Sequence, residues 1–448
     1  MRRIEVAAWL VAASLACGRA YGQDDNPANG NDQRDPEPSA AESAELASPN
    51  YFGEFTAGGA GFTLAETPHG NMNFSAWGYV RYLNQKNLDE TYTDSFGRTK
   101  TLDLRNDLQL NKVNLYFKGW IYNPKFTYLF FVWTQNASQG EGAQVVVGGA
   151  LEYRAMNGFN VGAGVTQLPG TRSLRGTFPY WNRVDTRVIA DEFFRPSYTQ
   201  GVYAFGQFDN GLQYKITVGN NLSALGVSAT QLDGNFNSVS AAVSWAPKGE
   251  YGPRRGWVDF EEHDTPVSQI SMAITRSRED AQSQPGTDTI ENSQIRLSDG
   301  TLLFSPDAFR TGGQVRRASY LMASIDAGWK YKGFEIAGDY YNRKVDRFET
   351  VGLIPVTQLN DWGVQMQISK MVIPSKLGVY VGVSKIYGQY GEPHDTVIGT
   401  NLYLFQRRLL RLNTELMHLK NSPVGYPSVP FLLGGNGTVV STTLEMVF

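Results

Sequence analysis

From Asn73 to Phe448, apolar and polar residues alternate in segments of about ten, the period of a strand whose two faces meet different surroundings. Between Lys112 and Ile121, Val113, Leu115, Phe117 and Ile121 fall on one side, and Lys112, Asn114, Tyr116 and Lys118 fall on the other. Leu212, Tyr214, Ile216 and Val218 alternate with Gln213, Lys215 and Thr217. Val239, Ala241, Val243 and Trp245 oppose Ser238, Ser240 and Ser244, and Trp362, Val364, Met366 and Ile368 oppose Asp361, Gln365 and Gln367. The last segment puts Val440, Thr442, Leu444, Met446 and Phe448 on one face.

The pattern predicts strands over 73–83, 111–121, 125–134, 144–154, 159–166, 200–208, 211–219, 237–246, 268–276, 318–330, 333–344, 360–371, 376–387, 397–406, 408–419 and 437–448. Sixteen is an even number, as a barrel with both ends on one side demands, because every ascending strand needs a descending one. Short connections at Asn123-Pro124, Met156–Gly158, Asp209-Asn210, Tyr331–Gly333, Pro374-Ser375 and Gln406-Arg407 alternate with long ones. Short periplasmic turns and long external loops are the expected asymmetry of outer-membrane barrels. Residues 247–267 break the rule, being too long for a short-turn side; Gly256–Phe260 could add a strand and carry the total toward eighteen. The predicted fold class is therefore all-β, a transmembrane antiparallel β-barrel. Open edges in hydrocarbon would leave backbone groups unpaired at several kcal/mol each, so the sheet must close.

Composition fits this reading. Aromatic residues make up 12% of the chain and charged residues 19%, a mix suited to strands with aromatic girdles. No run after the first twenty residues approaches the roughly 18 apolar residues of a membrane-spanning helix. Met1-Arg2-Arg3, the apolar stretch Val6–Ala16 and the small residues around Tyr21 predict a secretory signal over 1–22, cut after Gly22 or Ala20. A competing reading lipidates Cys17 in Ser14-Leu15-Ala16-Cys17. Cys17 is the only cysteine, so no disulfide can staple the fold. Residues 23–50 carry a net charge of −6 with almost nothing to bury and are expected to be a disordered acidic leader. The barrel domain is assigned to 51–448, at a net charge of +1.

Sixteen strands enclose a lumen wide enough for water, so a pore is the default expectation. The third external loop, residues 167–199, holds Arg172, Arg175, Arg183, Arg187 and Arg195 against Asp185, Asp191 and Glu192. If it folds inward, guanidinium forks would favour phosphate or carboxylate. Inward strand positions add Arg81, Lys112, Lys118, Lys215, Arg343 and Arg411, opposed by Glu335, Asp339, Asp361 and Glu415. The alternative leaves the loop solvated on the outside. The four histidines lack metal-binding spacing, and no nucleophile elbow or phosphate loop stands out, so neither metal nor cofactor is expected. Two other readings stay open: a plugged structural or adhesive barrel, or a rim hydrolase using His418 with Asn413 and nearby serines.

The segments NFSAWGYVRYLNQ, LNKVNLYFKGWIYNPKFTYLFFVW, EFFRPSYTQGVYAFGQFDNGLQYKITVGNN and SAAVSWAP resemble the phosphate-selective porins O and P, over most of residues 70–448. The resemblance implies a water-filled outer-membrane channel, typically a homotrimer in lipid, passing phosphate or other small anions along arginines and lysines; the even count of strands places both termini in the periplasm. No nucleic-acid partner is expected. One departure is plain: the third loop has arginines and no lysine, whereas strict phosphate-binding members use a lysine-rich constriction.

Overall fold

The computed structural model describes residues 61–135, 144–223, 235–282, 292, 294–408, 410–426 and 428–448. The predicted signal and acidic leader lie outside the described residues. In chain order the strands are β1 (Phe62–Thr67), β2 (Gly70–Leu88), β3 (Thr91–Thr93), β4 (Thr99–Thr101), β5 (Asn106–Ile121), β6 (Asn123–Gln135) and β7 (Gln144–Met156). There follow β8 (Phe159–Gln167), β9 (Tyr198–Gln207), β10 (Leu212–Gly219), β11 (Ser238–Trp245), β12 (Val267–Asp280) and β13 (Gln314–Tyr331). The series ends with β14 (Phe334–Val351), β15 (Gln358–Ile373), β16 (Leu377–Tyr387), β17 (His394–Tyr403), β18 (Leu410–Lys420) and β19 (Gly437–Val447). One helical turn and a half, α1, spans Ile189–Phe194.

β2 and β5–β19 pair antiparallel in sequence order, and β19 returns to β2 from Val447 opposite Trp77 to Gly437 opposite Leu88. That is a closed sixteen-stranded ring, and each of its strands overlaps one predicted segment. Phe448 completes the seam, exchanging two backbone hydrogen bonds of 2.9 Å with Ala76. Three strands lie outside the prediction. β3 and β4 form a hairpin in the first long loop. β1 pairs with β2 from Phe62 opposite Phe74 to Thr67 opposite Gly70, so it occupies the same edge as β19 beyond Phe448.

The alternation resolves into two surfaces. Along β12, Ile270, Met272 and Ile274 are exposed on the outside while Gln269, Ser271, Ala273 and Thr275 are buried inside. An apolar outer face cannot be left in water over this area, whereas hydrocarbon accommodates it. Aromatic rings bound the band at both ends. Trp362 stacks on Tyr387 at 3.9 Å toward the long loops, and Trp329 meets Tyr331 and Phe334 at 6.0 Å toward the short turns.

The short turns fall at one end as predicted. Between β13 and β14, Lys332 and Gly333 both adopt positive φ, 46° and 74°, as the two-residue turn that matches strand twist requires. The long connection 247–266 does not contain the additional strand suggested at Gly256–Phe260. It holds a short 3-10 turn at Pro253–Arg255 and tucks into the lumen, where Tyr251, Trp257 and Val258 are buried. Its backbone bonds go to other loops instead of a neighbouring strand: Trp257 N–H donates to the Tyr180 carbonyl at 2.8 Å.

Candidate functional site

The third long loop, between β8 and β9, turns into the barrel. From Leu168 to Thr199, all but Phe178, Asp185, Arg187 and Arg195 are buried. Apolar contacts seat it. Phe193 and Phe194 of α1 join Tyr341, Tyr380, Ile386, Val397 and Met417 of the wall in one cluster, which also takes in Val424, Val429 and Phe431 from the last long loop. Gly363 makes room for the helix: a Cβ there would sit 2.5 Å from the Phe194 ring, which stacks on Tyr341 at 5.2 Å.

Charge fixes the loop's register. Arg183 grips Glu415 of β18 in a two-pronged contact, Nε to Oε2 at 2.9 Å and Nη2 to Oε1 at 2.8 Å. Arg172 reaches Glu335 of β14 at 3.2 Å, and Arg175 pairs with Asp326 of β13. All six groups are buried, so each pair must be nearly self-sufficient: desolvation costs several kcal/mol per ion and only close, hydrogen-bonded partners offset it. Glu335 also accepts from Tyr251 Oη at 3.2 Å and Val258 N at 2.5 Å, so one wall carboxylate ties the third loop to the tucked segment 247–266. Arg172 lies 4.2 Å over the Trp257 ring.

The remaining sequence candidates separate into two groups. Arg343 pairs with Asp361 at 2.8 Å under Phe193, and Arg411 pairs with Glu445 and donates to the Trp181 carbonyl at 2.6 Å. Arg81 donates to the Ser428 and Val184 carbonyls at 2.7 Å each, and Lys215 to Thr166 Oγ1 at 2.6 Å. Asp339 accepts from Gln365 at 2.8 Å. These groups are buried in the wall's contact with the loops. Lys118, half-buried on β5, lies opposite Asn73 toward the short-turn end.

Water reaches a smaller set. Lys112 keeps 19% of its side-chain exposure and meets Asp185, at 12%, across 2.6 Å. Arg187 and Arg195 each keep 12% and flank Glu192, at 3.0 and 2.7 Å. Lys112 points inward in phase with Asn114 and Tyr116, and a β-bulge adds Asn111 beside it: the register slips between Tyr79 and Val80, leaving Asn111 extra, so that Asn111 and Lys112 both turn toward the lumen. Burial raises the Glu192 carboxyl, but Arg195 and Arg187 outweigh it and hold the group below its ordinary value. Asp191 goes the other way: burial lifts it, against Arg187 and the Ser173 hydroxyl.

Sequence reasoning missed Asp326 and Glu445, although both sit on the polar face of an alternating segment, and it missed the inward course of 247–266. His418 and Asn413 do not come together. His418 is on the outer face beside Thr438, and Asn413 is buried inside against Tyr380 and Asn401.

No protein-family model matches the chain, and no curated protein matches its sequence. Among solved structures, the fold is similar to an anion-selective porin from Comamonas acidovorans, with TM-score 0.51, 11% identity, and coverage of 85% of this chain and 100% of that one. The outer membrane channel DcaP of Acinetobacter baumannii aligns at TM-score 0.49 and 9% identity, over 87% and 99% of the two chains. OprB of Pseudomonas putida aligns at 0.47 and 11%, over 85% and 94%. The first of these likenesses establishes the architecture, a sixteen-stranded β-barrel of the porin type.

Proposed function

We propose that the chain is an outer-membrane porin through which small solutes diffuse passively, that it favours anions such as phosphate, and that the third loop forms its constriction. The apolar outer belt and the closed ring support a membrane position. The alternation of short turns and long loops supports periplasmic termini. The likeness to a protein named as an anion-selective porin agrees with conduction, as does the resemblance of the barrel segments to phosphate-selective porins. A homotrimer in lipid belongs to the same reading.

One observation carries the anion preference. Among the loop's own charges and the Lys112 that faces it, Lys112, Arg187 and Arg195 keep contact with water against Asp185, while Glu192, between the two arginines, is buried. A ring of cations at a narrow point raises the local concentration of anions and excludes cations. Planar-bilayer recording of the purified barrel in a salt gradient tests this. Stepwise conductance with a reversal potential favouring the anion is expected, and Arg187→Ala with Arg195→Ala should move it toward the cation. A folded barrel without conductance removes the channel, and unchanged selectivity in the double variant removes the role of these arginines.

A second reading, a sealed barrel acting through its loops, draws on how far the long loops interlock. Ile295, Leu297, Leu303, Phe304 and Phe309 of the loop after β12 are buried against the wall. Arg310 and Tyr92 bind across to the Phe96 and Asp299 carbonyls. The same recording decides between the two.

A further inference from the structure

The outer wall carries a second charged feature that conduction does not use. At the long-loop end of β12–β14, Arg276, Arg278, Arg316, Arg317, Lys344 and Arg347 lie on the exposed side or at the rim, with Asp280, Asp346 and Glu349 among them. Two of the acids are taken by cations, Glu349 by Arg278 at 2.6 Å and Asp346 by Lys344 at 2.8 Å, and Asp280 accepts from the Gln282 N–H at 2.7 Å. Arg276 and Arg316 have no ion pair among the described residues.

Their height is set by the strands. Arg276 is in register with Leu321 and, through it, with Lys344. Phe334, beside Trp329 in the lower aromatic girdle, is ten residues from Lys344 along β14. At the tilt of such strands that interval crosses an apolar band of about 25 Å. The upper girdle, Trp362 on Tyr387, is one step below, since Trp362 faces Asn342. Arg276 and Lys344 therefore stand at headgroup level, immediately beyond the apolar belt of Ile274, Ile325 and Tyr340, and Arg316, five residues beyond Leu321 along β13, stands farther out toward the long loops. Arg276 and Lys344 are two strands apart, about 10 Å, so the strip is wide enough for more than one phosphate.

We infer that this strip is a binding surface for a membrane lipid whose headgroup bears several phosphates, its acyl chains lying along the apolar belt. Guanidinium groups match phosphate oxygens two at a time, and two of them arrive without a protein partner. The inference needs the barrel to lie in a membrane but not to conduct, so a silent bilayer recording leaves it standing.

The test is native mass spectrometry of the full chain refolded in detergent with bisphosphorylated lipid A, its dephosphorylated form, or phosphatidylglycerol. The wild type should retain the bisphosphorylated lipid at least ten-fold over the other two. Arg276→Ala with Arg316→Ala should lose that excess, while Arg276→Lys with Arg316→Lys keeps most of it. Equal retention of the dephosphorylated lipid or of phosphatidylglycerol overturns the inference. So does retention unchanged in the double alanine variant. Should that variant fail to refold, the comparison among lipids in the wild type decides alone.

Discussion

The two sides of the third loop spend the same residue types differently. Toward β13, β14 and β18, Arg175, Arg172 and Arg183 are dry and each meets a buried wall carboxylate. On the side that includes Asp185, Arg187 and Arg195, the charges keep some water and pair with loop acids or with Lys112. Five arginines in one loop thus divide into buried anchors and charges that reach water, the latter being those the proposed channel would present to a solute. What divides them is the supply of carboxylates on strands more than a hundred residues away. An arginine matched one to one by a buried carboxylate presents little net field to the lumen; Arg187 and Arg195 share the buried Glu192 and each keep some water, so their charge is less fully matched.

The largest expected effect breaks an anchor. Glu415→Ala leaves Arg183 buried without a counter-charge, a loss of about 3–5 kcal/mol for a pair of this kind. The urea midpoint of the refolded barrel should fall accordingly. Asp185→Ala is the matched control on the wet side, where a partly exposed pair contributes at most about 1 kcal/mol. Equal losses would erase the distinction between the two sides. Replacing both dry partners, Arg183→Met with Glu415→Leu, should cost much less than Glu415→Ala alone, because no charge is then stranded.

A smaller effect is expected where the loop is seated by shape. Gly363→Val would drive a side chain into Phe194, where even a Cβ comes within 2.5 Å of the ring. Overpacking of this type costs about 1–3 kcal/mol. Since α1 carries Glu192 and precedes Arg195, the same change should alter single-channel conductance, which Glu415-independent destabilisation of the wall would not. Unchanged conductance with lowered stability would uncouple the helix from the constriction.

The barrel was readable because two solvents impose a period of two on every strand: Val239, Ala241, Val243 and Trp245 could be placed outside from spelling alone. The short turns were readable for the same reason, since Lys332-Gly333 has to reverse a hairpin. What was not readable is where side chains from distant segments meet. Arg183 and Arg187 look alike in the sequence, and only the position of Glu415, 232 residues from Arg183, separates them. The bulge at Asn111 turns that residue inward beside Lys112, where strict alternation would put it outside. Segment 247–266 misled because its length suggested a strand, while its tight apolar and aromatic residues serve packing under Arg172. β1 carries no such signal because its six residues, all exposed, lie beyond the apolar alternation that marks a spanning strand.

The smallest expected effect sharpens the wet side by pH. Glu192 lies between Arg187 and Arg195 with its carboxyl held below the ordinary 4.5, so its contribution to stability is complete above that value and is lost as pH falls through the depressed one. Asp191 has the opposite sign: its carboxyl is raised above 3.8, so the folded state takes up its proton early, and acidification there relieves a burden. The two oppose each other in stability but not in charge, because each protonation adds one positive unit beside the arginines. Anion preference, read from the reversal potential, should therefore increase as pH is lowered, first through the raised Asp191 range and then through the depressed Glu192 one. Glu192→Gln removes the acid at every pH, so it should show the raised preference already at neutrality and a flatter profile below it. A variant profile parallel to the wild type would mean that the charge between Arg187 and Arg195 does not reach the solute path.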